Sequence, residues 1–290
     1  MKILDGKNLS AKIKDELKGS IQSNLKTPIL AVITVGYNEA SYIYVNNKKK
    51  ACEYVGMSLM HFDYSEDEPE EKIIKKIKEL NKDENVNGII IQLPIPDKYD
   101  TRKLLNTINP SKDVDGLTDI SLGKILEGNA EFIPCTPKGI IELLDFYKIK
   151  FEGKHVVVVG RSNLVGKPVM LECLKRNATC TICHSKTKNL KRYTLDADIL
   201  IVAVGKKHAI KENMIKKNAV VVDVGINRVD GKIYGDVVDT DICSYKTPVP
   251  GGVGPMTVAM LLKNTYIAYK NQNGIKDEEW SNWKKHNQNI

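Results

Sequence analysis

Apolar residues recur along this chain in two alternating rhythms. Between Asn8 and Lys26, the residues Ile13, Leu17, Ile21 and Leu25 fall four apart, which predicts a helix with one buried face. Ile29 to Val35 is then an unbroken apolar, β-rich run, the pattern of a parallel strand covered on both faces. The alternation continues with a helix capped by Ser41 and stopped at Gly56. After it come a strand over Met57 to Asp63, a helix over Pro69 to Leu80, and a buried strand over Val86 to Gln92 that runs into Leu93-Pro94-Ile95-Pro96. Short helices follow near Thr101 to Thr107 and Ser121 to Leu126, and Thr136-Pro137 opens another to about Tyr147.

From His155 the rhythm restarts. Val156 to Val159 is a strand, Gly166 to Arg176 a helix, and Ala178 to Cys183, Asp198 to Val204 and Val220 to Val224 are further strands. A last helical pattern runs through Val258, Leu261, Leu262 and Thr265. Strands alternating with helices in two series predict an α/β protein of two domains, each on a parallel sheet with covered faces. The boundary is expected between Ile133 and Gly153, with the last helix crossing back to the first domain. The stretch from Asn271 is polar apart from Trp280 and Trp283. No internal repeat has a fixed period.

Before that last helix, Thr247 to Thr257 reads T-P-V-P-G-G-V-G-P-M-T, alternating residues that fix φ with residues that lack a Cβ. Such a stretch is commonly a surface linker. Here it is apolar, lacks Ser and Asn and leads into a helix, which favours a loop that lines a ligand. The Val156–Val159 strand is followed by Gly160-Arg161-Ser162 and, at Gly166, a helix. Strand, tight turn and helix start form the context of a dinucleotide fingerprint, although Ser162 stands where the second glycine is usual and Gly166 comes one residue late. The residue that selects between NAD and NADP follows about 20 positions later. No acid occurs from Ala178 to Lys188, whereas Arg161, Ser185 and Lys186 suit a 2′-phosphate, so NADP is expected.

Length and charge narrow the classes. The 290 residues are 42% hydrophobic and 28% charged, a globular balance with room for a sizeable core. No window reaches the ~18 apolar residues of a membrane span, and the amino-terminal residues lack a signal-peptide core, so a cytoplasmic protein with reduced cysteines is expected. The net charge of +8 is spread without a basic stripe interleaved with aromatics, which argues against nucleic acid and leaves room for anionic small ligands. Cys180-Thr-Ile-Cys183-His184 matches the c-type haem spacing but lies in a buried strand, and the remaining histidines form no metal spacing. No metal is expected.

Tyr44 and Lys48 stand four apart and share a helix face; taken alone, the pair is a core tyrosine beside a solvated lysine. Gln92 ends a buried strand, where a polar residue usually faces a crevice. Asp113 and Asp115 sit in a turn and have Asx capping as their plain role.

In this order the pieces resemble the methylenetetrahydrofolate dehydrogenase/methenyltetrahydrofolate cyclohydrolase family, over about residues 1 to 270. The blocks that carry the resemblance are Ala40-Ser41-Tyr-Ile-Tyr44-Val-Asn-Asn-Lys48, Gly88-Ile-Ile-Ile-Gln92-Leu-Pro94, Lys112-Asp-Val-Asp115-Gly116, Ile133-Pro-Cys-Thr-Pro137, Gly160-Arg-Ser162 with His184-Ser185-Lys-Thr187, and the Pro/Gly loop. The resemblance implies a folate-binding catalytic domain over 1–136, completed by 257–290, and a Rossmann-like NADP-binding domain over 137–256, with the active cleft between them. It implies that Tyr44 and Lys48 stand over the folate, that Gln92, flanked by Ile91 and Leu93, hydrogen-bonds the lysine, and that Asp115 grips the pterin. It places Pro250, Gly251, Gly252, Val253, Gly254, Pro255, Met256, Thr257 and Val258 along the substrate, and Gly160, Arg161, Ser162, Ser185 and Ile226 on the cofactor. A homodimer acting on tetrahydrofolate derivatives is implied as well.

The implied chemistry suits these residue types. Hydride transfer from the methylene carbon needs alignment, whereas hydrolysis of the methenyl cation needs proton transfers. A free lysine, near ~10.4, is too basic for that work, and burial has to bring it towards ~7–8, roughly 3–5 kcal/mol at ~1.36 kcal/mol per unit. Two other readings stay open on the same frame: an unrelated two-domain NADP dehydrogenase, for example one like shikimate dehydrogenase, and a non-catalytic folate-binding protein.

Overall fold

The computed structural model describes residues 1–22 and 26–275. In chain order these form β1 (Lys2–Ile3), α1 (Gly6–Gln22), β2 (Ile29–Val35), α2 (Glu39–Val55), β3 (Ser58–Tyr64), α3 (Glu70–Lys82), β4 (Gly88–Ile91), α4 (Thr101–Asn106), α5 (Asp119–Leu126) and α6 (Cys135–Phe146). Then follow β5 (His155–Val159), α7 (Gly166–Leu174), β6 (Thr179–Cys183), α8 (Leu190–Thr194), β7 (Ile199–Val202), β8 (Val220–Asp223), β9 (Asn227–Val229), β10 (Lys232–Tyr234), β11 (Tyr245–Lys246) and α9 (Val253–Gln272). Leu25, Trp280 and Trp283 lie outside the described residues.

The chain divides into two compact α/β units. One comprises Leu17–Val114 with the chain from Leu262 onward; the other comprises Met1–Glu16 with Asp115–Leu261. The first is built on a parallel sheet of order β3-β2-β4. Its central strand, ILAVITV, is almost wholly buried, as a doubly covered strand must be. From α3 the residues Ile73, Ile77 and Leu80 bury one stripe. The chain passes from β2 through α2 to β3 on one side, then returns through α3 to β4 on the other. The carboxyl ends of β2 and β4 therefore flank a topological switch point, where open α/β sheets bind ligands.

The second unit holds a six-stranded, all-parallel sheet of order β1-β11-β8-β7-β5-β6. Its core gathers Val157, Val159, Leu200, Val202 and Val221 with Ile210, Ile215 and Val237. The chain leaves β5 for β6 on one side and comes back to β7 on the other, so β5 and β7 flank this sheet's switch point. Residues 2–3 pair with β11 and thus belong to this second sheet.

Three expected helix starts move. The α2 helix begins at Glu39, because the Asn38 side chain, and not Ser41, caps it by accepting from the Ser41 amide at 2.9 Å. The α6 helix begins at Cys135 after an uncapped Pro134, and the Thr136 hydroxyl instead meets that of Thr257 at 3.0 Å. The α9 helix begins at Val253, so the second half of the Pro/Gly segment is its first turns.

Candidate active site and dinucleotide edge

In the Leu17–Val114 unit, α2 is the helix that leaves β2, and it carries Tyr44 and Lys48 one turn apart. Both side chains are half-buried. Gln92 follows β4, and its amide donates to Ile33 O at 2.8 Å, which extends the β2–β4 ladder by one residue. That bond fixes the backbone from which the Gln92 side chain reaches the switch point. There, Lys48 Nζ donates to Gln92 Oε1 at 2.7 Å, and Gln92 Nε2 donates to Leu93 O at 2.9 Å. The amide orientation is thus set at both ends, with the oxygen presented to the ammonium. Ile91 is buried in the strand and Leu93 half-buried beside it. One turn beyond Lys48, Cys52 is fully buried; burial pushes its thiol up to about 12, against the opposing pull of the Lys48 charge. One turn before Tyr44, Ser41 buries a hydroxyl without a hydrogen-bond partner. The sequence had offered that residue only as a cap.

Helix α2 is tied to the sheet on its other side. Tyr42 donates to Asp63 on β3, and this bond holds the phenol up at about 12. Asp63 also accepts from Thr34 Oγ1 at 2.6 Å.

Asp115 belongs to the other unit. It is half-buried, next after Val114 and just before the turn at Gly116 that leads into α5. Its neighbour Lys112 is buried, donating to Leu80 O at 2.9 Å and Asp83 O at 2.7 Å, where α3 ends. Burial lowers the pKa of that lysine. The lysine of this motif is therefore a structural tie, which the residue types alone did not reveal.

The dinucleotide edge lies in the six-stranded sheet. Gly160 has φ +129°, and a Cβ built on it would lie 2.3 Å from Ala203 O, so only glycine lets β5 turn this close to β7. Arg161 and Ser162 are exposed on that turn, and Ser162 Oγ accepts from the Val165 amide at 3.1 Å. No side chain caps α7 at its start, which leaves the helix N-terminus suited to an anionic group. Val159 pairs with Cys183, which puts the ends of β5 and β6 side by side. Just past β6, the His184 amide donates to Thr187 Oγ1 at 2.9 Å and the Lys186 amide to His184 Nδ1 at 3.2 Å, leaving Ser185 and Lys186 exposed. Glycine at the close approach, an uncapped helix start and cationic and hydroxyl side chains without an acid fit NADP.

Ile226, after β8, is also exposed, and its Cδ1 lies 3.6 Å from the position a Cβ would take on Gly254. The cofactor and loop positions expected from the sequence therefore meet at this point. Gly251 O accepts from the Lys7 amide at 2.8 Å, and the Gly252 amide donates to Pro248 O at 2.9 Å. Gly252, Val253 and Met256 are buried, whereas Gly251, Gly254, Pro255, Thr257 and Val258 are half-buried. The Leu93–Pro94 and Val249–Pro250 bonds are cis. Among the described residues no group of three or more His, Cys, Asp or Glu could hold a metal ion, and no helix is long and apolar enough to cross a membrane.

Residues 4–115 match the family model for the tetrahydrofolate dehydrogenase/cyclohydrolase catalytic domain, and residues 134–273 match the model for its NAD(P)-binding domain. The bifunctional protein FolD of Thermodesulfovibrio yellowstonii is 53% identical over 281 residues, covering 94% of this chain and 98% of that protein. The crystal structure of the bifunctional FolD methylenetetrahydrofolate dehydrogenase/cyclohydrolase from Campylobacter jejuni superposes with a TM-score of 0.92 at 47% identity, over 94% of this chain and 99% of that one. The Trypanosoma brucei methylenetetrahydrofolate dehydrogenase-cyclohydrolase, solved with NADP cofactor and inhibitor, gives 0.89 at 32% identity, over 93% and 98%.

Proposed function

We infer residue roles from one premise: the chain belongs to the tetrahydrofolate dehydrogenase/cyclohydrolase family. It is a bifunctional enzyme of one-carbon metabolism, which oxidises methylenetetrahydrofolate to methenyltetrahydrofolate with NADP and hydrolyses the product to formyltetrahydrofolate. NADP, when bound, accepts the hydride. Its holders are Gly160, Arg161, Ser162, Ser185 and Ile226, with Arg161 and Ser185 for the 2′-phosphate.

Lys48 is the proton-handling group of the hydrolysis. What supports this is its 2.7 Å bond to Gln92 at a switch point. Water adding to the methenyl carbon must lose a proton, and the ring nitrogen that leaves must gain one. A lysine held in one place by Gln92 can serve both needs. Tyr44, on the same face, packs against the substrate, and Asp115 binds the pterin by accepting its N–H groups. Ile91, Leu93 and Pro250 to Val258 line the substrate.

The functional division we propose is 1–136 with 257–290 for folate, and 137–256 for NADP. It differs from the compact units, in which residues 1–16 and 115–136 pack with the dinucleotide sheet. The working form is a cytoplasmic homodimer, and light scattering at a single 32.5 kDa chain mass would refute the dimer. The assignment of Lys48 is tested by assaying NADPH formation and methenyl hydrolysis separately in Lys48→Met. Hydrolysis falls by about 100-fold, as for a lost acid/base group, and hydride transfer falls less. An equal fall in both removes Lys48 from the proton-handling role.

A further inference from the structure

A fully buried carboxylate lies beneath the dinucleotide edge. Asp236 has no solvent exposure. Its Oδ2 accepts from the amides of Val204 at 2.7 Å and Gly205 at 2.9 Å, and its Oδ1 from the amide of Lys206 at 2.8 Å and from Asn227 Nδ2 at 2.9 Å. Three consecutive amides converging on one anion form a backbone nest, the kind of concavity that elsewhere takes a phosphate. Here the chain fills it from within. Asp223, which ends β8, makes the second half of the arrangement. It accepts from the amides of Gly225 at 3.0 Å, Asp236 at 2.9 Å and Val237 at 2.9 Å. A Cβ on Gly225 would lie 2.2 Å from Asp236 Cγ, so the segment after β8 passes directly over the carboxylate.

Each of these segments exposes an apolar side chain: Val204 at 40% and Ile226 at 43%. Val204 follows Ala203, whose carbonyl meets the Gly160 turn, and Ile226 is the expected cofactor contact. Burying a charge is costly unless it is fully hydrogen-bonded, and an apolar side chain would fill the same space without that cost. An apolar residue would leave the amides of 204–206 with no acceptor, however, and the loop would have to turn them outward.

We propose that Asp236 is a positioning residue for the dinucleotide: by filling the nest it fixes the loop after β7 and the segment carrying Ile226 in the arrangement that receives NADP. The proposal rests on this edge being the NADP site. Asp236 acts through these segments and not by contact with the cofactor. Its loss therefore weakens dinucleotide binding out of proportion to methenyl hydrolysis, which uses no dinucleotide.

Asp236→Asn is the sharp test. Each carboxylate oxygen serves two donors, so the asparagine NH₂ faces two donors whichever way the amide is turned. NADP binding is measured by calorimetry on the whole protein, alongside methenyl hydrolysis, melting temperature and hydrogen exchange. The expected result is a dissociation constant raised about tenfold or more, hydrolysis within about threefold of the unmutated enzyme, and faster exchange at the 204–206 amides. Equal losses in NADP binding and hydrolysis, or a folded variant that binds NADP unchanged, overturn the proposal. If Asp236→Asn does not fold, Asn227→Ala decides, since it removes one donor and no charge. An unchanged NADP affinity in that variant overturns the proposal, and a roughly threefold loss supports it. An unmutated protein that binds no NADP would overturn the cofactor assignment itself, a separate outcome.

Discussion

Gly160→Ala places a single methyl group where the fold leaves no space. The built Cβ lies 2.3 Å from Ala203 O, short of ordinary contact (about 3.5 Å) by roughly 1 Å. The turn cannot simply move aside. The Gly160 amide donates to Cys183 O at 2.8 Å, and the Ala203 amide donates to Val159 O at 2.8 Å, so it is bonded to β6 on one side and β7 on the other. Breaking these two bonds costs about 1 kcal/mol each, and a side chain at φ +129° adds about 1–3 kcal/mol of backbone strain. The total is about 3–5 kcal/mol. It can appear as lost stability if the turn is held, or as lost NADP affinity if Arg161 and Ser162 are displaced. Measuring both therefore tests the sum. At about 1.4 kcal/mol per decade, 3 kcal/mol taken wholly by binding is more than a hundredfold in Kd. Calorimetry with NADP and chemical denaturation followed through the second unit's signal give the two parts, with methenyl hydrolysis as the control. If the losses together stay below about 1 kcal/mol, the close approach of β5 and β7 does not constrain this turn.

Three further outcomes follow from individual residues. Arg161→Ala weakens NADP far more than NAD, since it removes a cation suited to the 2′-phosphate, and comparable kcat/KM losses for both cofactors would remove Arg161 from that role. Lys112→Met keeps an apolar stem but strands Leu80 O and Asp83 O, at a cost of about 1–3 kcal/mol read in denaturant unfolding of the first unit; an unchanged midpoint refutes the tie. The Asp223 carboxyl is raised, chiefly by burial, to about 6 from an ordinary 3.8. A carboxyl raised in the folded state stabilises it below the unfolded value, and that stabilisation is lost as pH rises through about 6. Between pH 4 and 7, stability relative to Asp223→Asn should therefore fall by about 2 kcal/mol, and a pH-independent difference contradicts the raised value.

The two α/β series were legible because the core strands are continuous apolar runs: ILAVITV, GIII, VVVV and ILIV have no other place than inside a covered sheet. The three helix starts shifted because capping is local chemistry, and more than one residue competes for it. Asn38 stands three residues before Ser41 and takes the role. Pieces with too few residues to show a period were missed. Strands β1 and β11 are two residues each, and only their mutual pairing puts the amino terminus on the second sheet. The β9–β10 hairpin had a readable signal. Asp230-Gly231 separates two short runs, and both residues adopt positive φ, 50° and 71°, as a two-residue hairpin turn demands.

The same physics explains why part of the site was readable and part was not. In both sheets the informative position is a polar residue at or just past the end of a buried strand: Gln92 after β4 and Asp223 at the end of β8. Neither can be buried without hydrogen-bond partners, so each marks a place where the chain meets something polar. What it meets decides its role, and that depends on partners distant in sequence. Gln92 meets the side-chain nitrogen of Lys48 at a switch point, the group proposed above to handle protons. Asp223 meets backbone amides from its own sheet's loops, which fixes their course and leaves no side chain for chemistry. Tyr44, Lys48 and Gln92 were singled out because they belong to blocks that resemble a known family; taken alone, their residue types read as a core tyrosine beside a solvated lysine. The paired aspartates belong to none of these blocks. Their partners are chiefly backbone amides, of 204–206 for Asp236 and of Gly225, Asp236 and Val237 for Asp223, that no side-chain pattern records.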